Sequence, residues 1–384
     1  MFNFCFQNPT KIIFGKEQIA TLSKNIPQDS KVLLLYGAGS IKCNGVYQQV
    51  RQALKNFTWL EFSGIEPNPS FETLMQAADL VRREKVDFLL AVGGGSVIDG
   101  AKFIAAAAVF EGDAWQILAE GAKVISAIPL GCVLTLPATG SESNGNAVVT
   151  RYETKQKLSF SSSLVYPKFA ILDPTVTFSL PSKQVANGVV DAFIHVIEQY
   201  LTYPVNAAVQ DRFAEGLLLT LLEQGPLALS QPDNYDVRAN IMWAATMALN
   251  GLIGQGVPQD WATHMIGHEL TACYGLDHAQ TLAIILPALL QQQREQKRAK
   301  LLQYGRRVWQ LQHTNEEQII DEAIALTKAF FQQMGVATQL SDYNLGAEAI
   351  AEVEAKLVQH NMLKLGEHGD ITPEVAKQIL QLAL

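Results

Sequence analysis

The stretch Gly256–Pro287 carries three of the chain's seven histidines, and a fourth lies upstream at His195. His264 and His268 are four residues apart, so a helix here sets both imidazoles on one face, one turn apart. Met265, Ile266, Leu270 and Ala272 around them form an apolar stripe suited to facing a core. His278 follows past Tyr274 and Gly275, where the glycine can end the helix. Upstream, Asp191 and His195 repeat the four-residue step with a carboxylate in first place. A carboxylate and several imidazoles on buried helices suit a borderline divalent cation such as Zn²⁺ or Fe²⁺. A single core histidine reads more simply as hydrogen-bonded structure; the clustering is what favours a ligand set. His268-Glu269 begins like the HExxH zinc-protease pattern, but Ala272 stands where the second histidine belongs, so that reading fails. His313, His360 and His368 lie in polar stretches and are expected to be exposed.

Glycine-rich turns offer a second chemistry. Gly93-Gly94-Gly95-Ser96 stands where an apolar strand feeds a helix, with Asp99 in the helix's first turn. Glycines there let the backbone approach a ligand, and a helix N-terminus favours a phosphate. The spacing is not GxGxxG, so a phosphate cradle and a tight strand-to-helix turn both remain open. Gly37-Ala38-Gly39-Ser40 ends an earlier strand in the same way. Proteins that use NAD usually place an acidic residue on the adenosine ribose; here no carboxylate is expected near, and Ser40 with Lys42 can hold a 2′-phosphate instead. That points to NADP. The hydroxyl-rich run Thr135–Ser143 reads either as a turn with a helix cap or as donors toward a pyrophosphate or ribose.

The elements that must position these groups fall into two kinds. Lys31–Tyr36, Val86–Val92, Ile125–Pro129 and Gly131–Pro137 are short apolar runs expected to be buried strands, with helices over Val46–Lys55, Phe71–Arg83 (capped by Ser70) and Val97–Val109. Continuous apolar strands joined through helices indicate a parallel sheet covered on both faces. From Lys183 onward helical patterns dominate, over 184–201, 207–223, 235–252, 259–274, 285–312 and 316–334. The fold class is therefore α/β, with an α/β domain over 1–182 and an all-helical domain over 183–384. The polar run Gln291–Lys300 is expected to be a solvated helix face.

Composition sets limits on partners. With 384 residues, 48% hydrophobic, the chain is long enough for two cores. A net charge of −8 argues against a nucleic-acid surface. Four scattered cysteines, without a CxxC pair, fit a reducing compartment. No run is long and apolar enough to span a membrane, and the N-terminus lacks the pattern of a signal peptide, so a cytoplasmic location is expected.

Asp191-x₃-His195 and His264-x₃-His268-x₉-His278, together with the GGGS turn, resemble the iron-containing (group III) alcohol dehydrogenase family. The resemblance runs over essentially the whole chain, from Thr10–Gly15 onward. The stretches GIEPNPSFETLM, AVGGGSVIDGAKFIAAA, LTLPATGSESN, NGVVDAF and MWAATMALNGLIGQGVPQDWATHMIGHELTA look like its NADPH-dependent aldehyde reductase and butanol dehydrogenase branch. The resemblance implies a Rossmann-like nucleotide-binding domain followed by a helical metal-binding domain, the architecture also of dehydroquinate synthase. It implies metal ligands at Asp191, His195, His264 and His278, and places His268 beside the nicotinamide as a non-ligand; the alkoxide can then be protonated through His268, a cofactor ribose hydroxyl or a water chain. For NADP(H) it implies Gly37, Gly39, Ser40, Asn68, Gly94, Gly95, Ser96, Asp99, Thr135, Thr139, Ser141 and Lys157, to which the direct reading adds Lys42. Ala279 follows His278 where many relatives have glycine, a small residue that still fits.

The implied activity is reduction of short-chain aldehydes, with the cation polarising the carbonyl oxygen, on a small-molecule substrate and in a homodimer. An NAD-linked polyol or glycerol-type dehydrogenase differs in cofactor and substrate. A dehydroquinate synthase-like lyase needs basic residues for a phosphorylated acid, whereas Trp243, Leu252, Trp261 and Met265 make the surroundings of the ligands apolar.

Overall fold

The structure, a computed structural model, describes residues 1–384. Eight strands are β1 (Lys11–Phe14), β2 (Lys31–Tyr36), β3 (Thr58–Phe62), β4 (Phe88–Gly94), β5 (Leu130–Leu136), β6 (Asn146–Arg151), β7 (Gln156–Ser161) and β8 (Phe169–Leu172). Among them run the helices α1 (Val46–Ala53), α2 (Phe71–Glu84), α3 (Gly95–Ala107) and α4 (Gln116–Ala119). Beyond β8 the chain is helical: α5 (Ser182–Tyr200), α6 (Ala208–Ser230), α7 (Tyr235–Ala248), α8 (Ala262–Tyr274) and α9 (His278–Gln292). The last four are α10 (Arg298–Arg307), α11 (Glu316–Gln333), α12 (Ala347–Gln359) and α13 (Pro373–Leu382).

Six strands form one parallel sheet in the order β1-β8-β5-β4-β2-β3, and β6 and β7 form a separate antiparallel pair. The apolar runs are central strands, and alternate side chains go to opposite faces. Leu33, Leu35, Leu89, Ala91, Cys132 and Leu134 join one core with α2 and α3. Val32, Leu34, Leu90, Val92 and Val133 join the other, with Val46 and Val50 of α1. From β2 the chain steps outward to β3, then returns to lay β4 on the other side of β2 and continues to β5. That reversal makes a switch point between β2 and β4, where ligands bind open α/β sheets.

The chain divides into two compact units: Gln7–Pro181 with Pro232–Thr246, and Met1–Phe6 with Ser182–Gln231 and Met247–Leu384. Two short segments thus lie across a cut at 182. Most of α7 belongs with the sheet, where Met242 is buried in its core and Trp243 packs edge-on against Phe14 of β1, 6.0 Å between ring centres. Met1–Phe6 belongs with the helical unit, where Phe2 N–H donates to the Gly256 carbonyl at 2.8 Å.

Three expectations about elements are corrected. Residues 125–129 form no strand, and Ile125 is 78% exposed. The helix expected over 285–312 is two, α9 and α10, separated at 293–297. The polar run Gln291–Lys300 is not merely a solvated face: Lys297 and Lys300 are buried, Lys297 between Asp260 (2.8 Å) and Glu367 (2.7 Å) and Lys300 against Asp211. A buried lysine is tolerated where carboxylates replace water, and the sequence pattern does not reveal those partners.

Candidate active site

In the helical unit, α5 and α8 bring the expected ligands together. Asp191 and His195 lie one turn apart on α5, and His264 sits in the first turn of α8. One ligand atom from each of these three buried residues lies within 4.8 Å of the others. Asp191 Oδ1 is 3.7 Å from His195 Nδ1 and 3.7 Å from His278 Nε2, too far for hydrogen bonds. Ligands around a tetrahedral cation at ~2.1 Å stand about 3.4 Å apart, close to this spacing. His195 Nδ1 is buried and makes no hydrogen bond. Burial pushes the His195 imidazole down to about 4, against the upward pull of Asp191, so it is neutral with a lone pair to give. The donor set and the state of His195 fit a borderline divalent cation.

His278 opens α9, with Asp277 as its N-cap in a reciprocal capping box with Gln280. Asp277 also pairs with Lys183 at 2.7 Å and accepts from Asn187 at 3.1 Å, tying the start of α9 to α5. The His278 ring lies 5.1 Å from that of His264 and 5.5 Å from that of His268. Gly267 lets α8 meet α9, since a Cβ there would stand 2.9 Å from Thr281 Oγ1. Gly275 ends α8 in the left-handed conformation, as expected. Trp261 covers the cluster, its ring 5.2 Å from His264 and 6.1 Å from His195.

Glu198, one turn beyond His195 on α5, was not singled out by sequence. Its carboxylate hydrogen-bonds His264 Nδ1 and accepts the Thr263 N–H at 2.7 Å. Burial, then the Asp260 carboxylate, pushes this group up, while the hydrogen bonds from Thr263 and the Lys297 ammonium act to keep it charged. His360, expected to be exposed, has a side chain only 3% exposed and pairs with buried Glu269 at 2.8 Å. His313 and His368 are exposed.

In the α/β unit the switch point carries the glycine turns. Gly39 adopts φ 104°, with open space where a side chain would go, and Gly37 lies close to the Ile65 carbonyl. Gly94 is the N-cap of α3, and a Cβ on Gly95 would stand 2.4 Å from Thr139 Oγ1. The glycines of this turn have no room for a Cβ, because the side chains of Val97, Leu136 and Thr139 already fill the space beside them. Asp99 accepts from Ser141 Oγ (2.5 Å) and from Val148 N–H (3.0 Å), so both its oxygens serve the neighbouring chain. Lys157 on β7 donates to Asn68 at 2.9 Å, and Thr135 is buried near the end of β5.

Beneath this cradle lies a lysine the sequence reading missed. Lys102 is fully buried and donates to Ser141 Oγ (2.8 Å), Asn144 Oδ1 (2.9 Å) and the Asn146 carbonyl (2.7 Å). Burial lowers it to about 8, with Asp99 opposing. Its place three residues after Asp99 on an Ala-rich helix is the only sequence signal it gives. A second omission lies at the adenosine end. Lys42 Nζ sits 5.0 Å from the ring centres of both Tyr36 and Tyr47, whose hydroxyls donate to Glu61 at 3.1 and 2.8 Å. The expectation that no carboxylate is near is corrected: pairing of β3 with β2 delivers Glu61 from outside the sequence window.

Residues 9–174 match the model for iron-containing alcohol dehydrogenases, and residues 185–384 match that for the C-terminal part of the Fe-containing alcohol dehydrogenase family. The chain belongs to the iron-containing alcohol dehydrogenase family. It is 61% identical, over 100% of both chains, to the NADPH-dependent aldehyde reductase YqhD of Escherichia coli K12. It is 39% identical, again over 100% of both, to a probable NADH-dependent butanol dehydrogenase of Bacillus subtilis. The crystal structure of E. coli YqhD superposes with a TM-score of 0.99 at 60% identity, covering 100% of this chain and 99% of that one. Within the iron-containing alcohol dehydrogenases the α/β fold and the oxidoreductase class follow for this chain.

Proposed function

We propose that this protein is a metal-dependent, NADPH-linked aldehyde reductase acting on short-chain aldehydes and, in reverse, on the alcohols. The observation that carries the reading is the buried trio Asp191, His195 and His264, whose spacing and neutral imidazole suit a cation. His278, 3.7 Å from Asp191, is the fourth ligand in this reading. A divalent ion held there supplies Lewis acidity toward a carbonyl oxygen, where negative charge develops during hydride addition.

The chain's own groups do the rest. Gly37, Gly39, Gly94, Gly95 and Ser96 cradle the phosphates of the dinucleotide on backbone N–H groups. Ser40 and Lys42 engage the 2′-phosphate, and Asn68, Thr135, Thr139 and Lys157 contribute donors and acceptors along the cofactor. Asp99 and Ser141 shape the cradle through their mutual hydrogen bond. His268, whose ring is 5.5 Å from that of His278, passes a proton toward the alkoxide. Trp261 and Met265 keep the surroundings of the ligands apolar, which favours uncharged aldehydes over phosphorylated acids.

The decisive experiment follows the loss of nicotinamide absorbance with butanal, using NADPH and NADH in parallel. It is run on chelator-stripped, Zn²⁺-restored and Fe²⁺-restored protein. Faster turnover with NADPH, returning only with metal, is the expected result, and the two restored arms rank the metals. Glu61 beside Lys42 favours one second reading, NADH use, because a carboxylate can accept from a free 2′-hydroxyl. A preference for NADH would establish it. A homodimer in the cytoplasm completes the proposal. The outer edge of β1, paired only with β8, offers a second copy backbone donors and acceptors, and all four cysteines are free thiols. Light scattering on the purified protein tests the dimer.

A further inference from the structure

His264 is held from behind. Glu198 follows Asp191 by seven residues and His195 by three, so the three side chains share a face of α5. Its side chain is 1% exposed, and two nitrogens converge on its two oxygens: His264 Nδ1 on Oε2 and the Thr263 backbone N–H on Oε1, the latter at 2.7 Å. The Glu198 carbonyl also accepts the Asp260 N–H at 2.9 Å, so one residue grips the turn into α8 at three points. Asp260 in turn lies 2.8 Å from Lys297, itself 2.7 Å from Glu367. The grip on the turn is therefore anchored in a buried ion-pair chain.

We propose that Glu198 is the positioning residue of the metal centre: it holds His264 with its proton on Nδ1 and its ring plane fixed, so that Nε2 is the nitrogen given to the cation. This rests on the metal reading proposed above. An imidazole that donates from one nitrogen to a carboxylate becomes a better ligand at the other, and its orientation no longer has to be fixed when the cation arrives. The chemistry calls for an acid here and not an amide. Glutamine has one acceptor oxygen for two incoming donors. Its amide group must either face the Thr263 N–H, donor against donor, or donate to Nδ1 and move the imidazole proton to Nε2, where a cation would bind. Either outcome weakens the site without removing a ligand.

The test is Zn²⁺ affinity, by chelator competition, for wild type, Glu198→Gln and Glu198→Ala, with the visible spectrum of the Co²⁺-substituted proteins beside it. Both variants are expected to bind about 10- to 100-fold more weakly, with shifted Co²⁺ bands, while the KM for NADPH stays unchanged. Wild-type affinity and an unshifted spectrum in Glu198→Gln would overturn the proposal and leave the metal reading standing. A wild-type protein that takes up no cation would remove both. Should the variants fail to fold, wild-type protein labelled with ¹⁵N-histidine and loaded with Zn²⁺ decides the matter. His264 coordinating through Nε2 with a proton on Nδ1 is expected, and coordination through Nδ1 overturns it.

Discussion

Replacing His264 by alanine removes one donor from a cluster whose other members stay on their helices. The expected result is a loss of bound metal and more than ~100-fold of turnover, beyond the 10- to 100-fold that outer partners are worth. Metal content by elemental analysis and the butanal assay check it together; full kcat would sink the ligand assignment. Lys102 makes a different prediction. Its folded value of about 8 lies below the ordinary lysine value of 10.5, so between these limits the unfolded chain holds more protons than the folded one. Stability from this group therefore rises as pH climbs from 8 toward 10.5, by at most roughly 3 kcal/mol. Wild type should gain stability relative to Lys102→Met over that range, as urea midpoints at pH 7.5 and 9.5 would show; no relative gain would place the lysine in a wetter setting. At this scale, groups repeated at helical spacing were legible: Asp191 and His195 announce one face of α5, and His264 and His268 one face of α8. Glu198, Lys102 and Glu61 were not, because each acquires its partners from elements distant in sequence.

Helix contacts set tolerances that single residues reveal. Gly267 brings α8 against α9, and a Cβ there would stand 2.9 Å from Thr281 Oγ1 and 3.2 Å from Leu282. Gly267→Ala is expected to cost about 1–3 kcal/mol, as overpacking does, and to lower metal affinity as His278 moves from Asp191. A variant as stable as wild type, with unchanged Zn²⁺ affinity, would show that the helices can part without consequence. The turn between α9 and α10 answers to charge instead. Lys297→Met leaves Asp260 and Glu367 without their buried cation, an expected loss of 3–5 kcal/mol in the usual range for broken buried pairs. Chemical denaturation measures it, and a loss under about 1 kcal/mol would mean water replaces the ammonium. Periodicity located most helices within a few residues, since apolar spacing follows burial. It joined α9 and α10 because nothing local marks the break; the carboxylates that receive Lys297 come from residues 260 and 367.

The parallel sheet was legible through β2, β4 and β5, which are apolar on both faces, whereas the short strands β1, β3 and β8 were not singled out. The membership of α7 was not legible either. A helix in a run of helices gives no sign that it packs on the sheet, yet Met242 is buried in that core. A fragment 1–181 expressed alone lacks this helix and should unfold at lower temperature than one in which 232–246 is joined back through a flexible linker. Equal melting points would mean the sheet closes its core without α7. The same crossing of segments bears on how the protein is born. Met1–Phe6 leaves the ribosome long before Gly256, and finds its seat there only after most of the chain has followed. The sheet, nearly whole by Pro181, waits for Thr246. At ~5–20 residues per second the wait lasts seconds, during which the nascent chain carries an open core and an unplaced aromatic tail. Synthesis and folding here are therefore interleaved, and chaperones that shield nascent chains have most to do before residue 256 emerges.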